Sequence, residues 1–152
     1  MASEPTLAPQ LTLLPGAVTT GLIRCGERAL LIDCDDTVTP DRLAALGVRH
    51  VDWILCTQYR RGNTAGAYAW LERGAQLVGP GAERAWFEDV AAYWGAWGSR
   101  WHLYTHQPGP QVPVQPLPLA RAVADGETIR WQGIELGVLA TPGMTDGAVS
   151  YH

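Results

Sequence analysis

Short apolar runs punctuated by glycine and proline set the pattern of the chain. Residues 28–33 (RALLID) read as an apolar strand that ends in an acid, and residues 51–56 (VDWILC) as a strand covered on both faces. Residues 11–14 and 17–24 are two further apolar runs, broken by Pro15-Gly16. Gly26-Glu27 is a turn signal between the runs at 17–24 and 28–33. Pro40-Asp41 opens a short predicted helix over 42–46, and Gly47 closes it. A helix is predicted over 64–73 with Gly74 behind it, then a brief strand at 76–78. Val90, Trp94, Trp97 and Trp101 recur at helical spacing and predict a longer helix over 82–101.

The remainder changes character. Five prolines between 107 and 118 make an extended connector. Strands are predicted at 121–123, 128–131 and 134–140, with turn signals at Asp125-Gly126 and Gln132-Gly133. Residues 149–152 read as the opening of another strand, so the chain is expected to be a fragment or a shortened product. Residues 1–10, with two prolines, are expected to be a flexible arm, and residues 11–152 one layered α/β (α+β) domain.

Composition narrows the function classes. The 152 residues are 47% hydrophobic and 17% charged, which suits one folded domain with a real core. Net charge is −4, against a nucleic-acid binder with its basic stripe. All 11 basic residues are Arg, which excludes Schiff-base and phosphate-loop lysines. No run approaches the roughly 20 apolar residues of a membrane span, and no signal-peptide order is present. A soluble, cytoplasmic protein is the expectation.

Candidate chemistry is sparse. Cys25, Cys34 and Cys56 form no CxxC pair, and the hairpin places Cys25 and Cys34 at opposite ends, so buried reduced thiols are expected. Asp33, Asp35 and Asp36 form an acidic cluster without the spacing of a calcium loop, expected to be solvated. His50, His102, His106 and His152 have no ligand-like grouping, and no serine sits in a nucleophile elbow. Trp86, Phe87, Tyr93, Trp94, Trp97 and Trp101 form an aromatic stripe, read as core packing.

Two loops after strands stand out: residues 57–66 (TQYRRGNTAG) and 141–147 (TPGMTDG). With ILC before Thr57, LLID at 30–33 and DGETIRWQGIELGVLATPG leading to the second loop, they resemble the metallo-β-lactamase fold superfamily. The resemblance spans about residues 11–152. It implies a partial αββα sandwich: the first half plus the opening strands of the second. The family's metal loop reads Thr-His-x-His-x-Asp-His-x-x-Gly, and its second element Thr-Pro-Gly-His-Thr-x-Gly. Position by position, the metal histidines fall on Gln58, Arg60 and Asn63, the aspartate on Gly62 and the later histidine on Met144.

The family binds zinc or iron, and none of these five residues supplies an imidazole or carboxylate. The resemblance therefore implies a domain without metal cofactor or catalytic residues, a non-catalytic binding or structural module of the pseudoenzyme kind. Two alternatives stay open. One is a metal-dependent hydrolase of this superfamily whose ligands or partner sequence lie outside this chain. The other is an anion-binding regulatory domain using Arg60 and Arg61 beside Asn63, since paired guanidiniums hold carboxylate or phosphate. The bland reading of that pair has one Arg on an acid such as Asp146 and the other in water. A half-covered sheet further implies self-association or a missing C-terminal half as partner.

Overall fold

The structure is a computed structural model and describes residues 6–8, 11–92 and 113–152. Strands β1 (Thr6–Ala8), β2 (Leu11–Leu14), β3 (Thr20–Cys25), β4 (Arg28–Ile32), β5 (His50–Leu55), β6 (Gln76–Pro80) and β7 (Arg121–Val123) form one mixed sheet in sequence order. β1 to β4 are antiparallel neighbours, whereas β4 to β7 pair in parallel. A second sheet holds β8 (Thr128–Trp131), β9 (Ile134–Ala140) and β10 (Val149–Tyr151), all antiparallel. Between β4 and β7 come α1 (Pro40–Ala45), α2 (Arg61–Thr64), α3 (Ala67–Leu71) and α4 (Arg84–Glu88), with a 3-10 turn at Gly81–Glu83.

Period-2 alternation sends the first sheet's side chains into two cores. Ala29 and Leu31 of β4, Ile54 of β5 and Leu77 of β6 face the helices, with Leu43, Trp70 and Phe87. Leu30, Leu55 and Val78 face the second sheet, against Ile129, Trp131, Val138 and Val149. The expected gap in this second core is small. Leu30 and Leu55 are fully buried, and Leu11, Ile32 and Trp53 pack there partly buried.

The structure corrects several expected elements. Within the arm at 1–10, Thr6–Ala8 pairs with β2. The third strand starts at Thr20 and not at residue 17. The helix expected over 64–73 is two short helices, α2 and α3, because Gly66 lies against the Cys34–Asp35 backbone and interrupts the run. Arg121–Val123, expected only as a strand, joins the first sheet beside β6 and not the sheet of the strands that follow it. Of the helix expected over 82–101, α4 ends at Glu88, and residues 93–101 lie outside the described residues with Tyr93, Trp94, Trp97, Trp101, His102 and His106. Phe87 is core and Trp86 packs near Tyr59, ring centroids 6.1 Å apart. Cys25 is exposed, while Cys34 and Cys56 are buried and unpaired.

Candidate functional site

β4, β5 and β6 run in parallel, so their carboxyl ends share one edge, where α/β sheets gather ligand loops. Asp33 follows β4 there in the left-handed region, φ +59°, a conformation that Asp tolerates better than most residues. Its Oδ1 accepts from the Thr57 amide at 2.8 Å. Its Oδ2 accepts from Thr57 Oγ1 at 2.8 Å and from Asn63 Nδ2 at 2.8 Å. Asp35 binds the preceding loop: its carboxylate accepts from the Val18 amide at 3.1 Å and the Thr37 amide at 2.9 Å. The acidic cluster is therefore not solvated as expected. Asp33 and Asp35 are buried hubs, and only Asp36 is exposed.

Burial pushes Asp33 above its ordinary value, outweighing the hydrogen bonds from Thr57 and Asn63 that favour the carboxylate. Asp35 is buried too, but the hydrogen bonds from Thr37, Val18 and Ala17 win and hold it low. Burial likewise pushes the Cys34 and Cys56 thiols up, helped by nearby Asp33, so both stay protonated at neutral pH and are poor nucleophiles. A carboxyl group raised on folding favours the native state at low pH and loses that contribution as pH climbs through the raised value. Asn at 33 keeps the left-handed conformation and removes the charge. Relative to Asp33→Asn, wild type is expected to lose stability as pH rises from about 4 to 7. Paired thermal melts across that range check it, and a relative gain would contradict it. Any constant offset from the amide leaves the slope untouched.

The second loop, 141–147, follows β9, and Glu83 clamps it to the first. Glu83 is 2% exposed. Its Oε2 accepts from the Tyr59 amide at 2.9 Å and its Oε1 from the Gly147 amide at 3.1 Å. The Val149 amide adds a bond to Thr57 O at 2.9 Å. Sequence reading missed Glu83. Its one signal is an acid two residues after Pro80-Gly81, at the end of a buried strand.

Each candidate residue then has a definite place. Gln58 is half-buried and its Oε1 is buried without a partner. Arg60 is half-buried, and its Nε is likewise buried and unpartnered. Arg61 opens α2 and is exposed. Asn63 donates its amide nitrogen to Asp33 and Thr57. A Cβ on Gly62 would meet Val18 Cγ2 at 2.9 Å, so a carboxylate side chain there must displace Val18. Met144 is 65% exposed. Among the described residues, no ion pair joins Asp146 to either arginine.

Zinc or iron centres of this geometry need imidazole nitrogens and carboxylate oxygens at about 2.0–2.2 Å. Here the candidates are two neutral amide oxygens, a permanent cation and an exposed thioether. This set does not fit a divalent ion. Among the described residues, no three of His, Cys, Asp and Glu gather as a ligand group.

Two facing sheets, helices on the outer side of the first, and paired loops at the strand ends define a layered α/β half-sandwich. The chain has the metallo-β-lactamase fold and corresponds to its first half. No protein-family model matches it. Hydroxyacylglutathione hydrolase of Aeromonas salmonicida (strain A449) is 31% identical over 134 residues, covering 86% of this chain and 41% of that protein. A subclass B3 metallo-β-lactamase of Bradyrhizobium japonicum superposes with TM-score 0.74 at 22% identity, covering 96% of this chain and 54% of that one. A Cronobacter sakazakii metallo-β-lactamase with a HARLDQ motif gives TM-score 0.73 at 18% identity, with coverages of 99% and 59%. The chain thus spans roughly half the length of the proteins it resembles. Among the described residues, no helix is long and apolar enough to cross a membrane.

Proposed function

We propose that this metallo-β-lactamase-like domain is a pseudoenzyme, a non-catalytic binding or structural module that holds no catalytic metal. The observation that carries the reading is the side-chain chemistry at the two loops. Arg60 brings a fixed positive charge to a ligand position, and Asn63 offers a weak carbonyl oxygen in place of an imidazole. The HARLDQ motif of the Cronobacter neighbour also carries Arg third, yet it keeps a His first and an Asp fifth. The corresponding QYRRGN here keeps neither. A cytoplasmic location belongs to the same reading, supported by three unpaired cysteines.

A second reading, a metal-dependent hydrolase completed by ligands outside this chain, is favoured by the 31% identity to a hydroxyacylglutathione hydrolase. Elemental analysis separates the two. Protein purified without added metal is expected to carry no stoichiometric zinc, iron or manganese. About one tightly held metal per chain would overturn the proposal.

A further inference from the structure

Among the described residues, the buried side-chain polar atoms that lack a partner are Gln58 Oε1, Arg60 Nε and Thr145 Oγ1. All three lie on the two loops that Glu83 clamps together. An orphaned buried polar atom costs on the order of 1–3 kcal/mol, so three on two loops held together by one side chain call for an occupant between those loops. Thr145 is only 8% exposed, so its hydroxyl is set inward and not toward bulk water.

The three atoms differ in what they ask for. Arg60 Nε–H donates and carries the charge, Thr145 offers a hydroxyl, and Gln58 Oε1 only accepts. Among the described residues, no ion pair joins Arg60 to a carboxylate. An occupant that answers all three is an oxyanion that also bears an O–H or N–H donor.

We propose that Arg60, Gln58 and Thr145 form a binding site for a small protonated oxyanion of the phosphate class. This rests on the reading of the domain as a binding module and names the ligand chemistry of the same site. Arg61, exposed on α2, is not part of it. Asn63 positions the loop through Asp33 and makes no contact with the ligand.

Inorganic phosphate and sulfate provide the test, because at neutral pH phosphate keeps an O–H and sulfate has none. Chelator-treated protein is titrated with each salt at constant ionic strength, read by calorimetry and by thermal shift. Phosphate is expected to bind at least about tenfold tighter than sulfate, as one hydrogen bond to Gln58 requires. Arg60→Gln should weaken phosphate by about ten- to hundredfold. Gln58→Leu should erase the preference over sulfate, and Arg61→Gln should change neither. Wild type that binds no phosphate at 10 mM, on the order of a millimolar-class site, overturns the proposal without needing any variant. Equal affinity for sulfate does so as well, as does an unchanged Arg60→Gln. A metal found in untreated protein would sink the pseudoenzyme reading alone, because the titration uses metal-stripped chain.

Discussion

Glu83→Ala is expected to cost about 3–5 kcal/mol of stability and to free the two loops from one another. The carboxylate is almost wholly buried and accepts one backbone amide from each loop, Tyr59 and Gly147. Hydrogen bonds to charged groups contribute about 1.5–3 kcal/mol each, and their loss strands two amides away from water. Glu83→Gln keeps the shape and one acceptor oxygen, but turns an NH2 toward the second amide. Its cost should fall between wild type and alanine. Urea denaturation measures the loss, and amide exchange at Tyr59 and Gly147 locates it. A cost under about 1 kcal/mol, within the range of an ordinary surface substitution or slightly above it, would show that the clamp carries little.

That clamp explains why the fold was legible and the site only partly so. Strands β4 and β5 announce themselves as apolar runs, and the β3–β4 turn by Gly26, whose φ is +61°. These are local signals, and they fix the parallel edge at which the loops emerge. The partners that organise that edge are distant in sequence. Glu83 reaches 24 residues back to Tyr59 and 64 forward to Gly147. Asp33 takes its donors from 24 and 30 residues away. An acidic run therefore reads as solvated when its partners cannot be seen, although the fold makes Asp33 and Asp35 interior hubs.

Arg60 and Arg61 show the same limit at the shortest range. They are identical in type and adjacent, so the sequence offers no way to tell them apart. The start of α2 separates them: Arg60 is its N-cap in extended backbone, with its Nε buried, and Arg61 is the first helical residue, turned to water. Asn63, grouped with them on sequence grounds, is committed to Asp33 instead.

Gly66→Ala decides between two opposed expectations. Gly66 has φ −80° and ψ −13° at the N-cap of α3, a conformation any residue adopts. By backbone conformation alone, alanine would gain about 0.4–1 kcal/mol there through the reduced freedom of the unfolded chain. Space says otherwise. A Cβ at this position would lie 2.2 Å from the Asp35 carbonyl oxygen and 2.9 Å from Cys34 Sγ. The obstacle is backbone, and that backbone is itself pinned: the Gly66 amide donates to Cys34 O at 2.9 Å and the Cys34 amide to Asn63 O at 2.8 Å. Relief requires α2 and α3 to move off β4, which pulls Asn63 from Asp33. Overpacking of a closed interior costs about 1–3 kcal/mol, occasionally more, and this contact sits at the upper end, so a loss of about 3 kcal/mol is expected. Gly143→Ala is the control, since nothing lies within 4 Å of its Cβ, and it should stay within about 0.5 kcal/mol of wild type. Denaturation of the pair measures the difference, and a Gly66→Ala protein as stable as wild type would mean that α2 and α3 are not seated on the Cys34–Asp35 backbone.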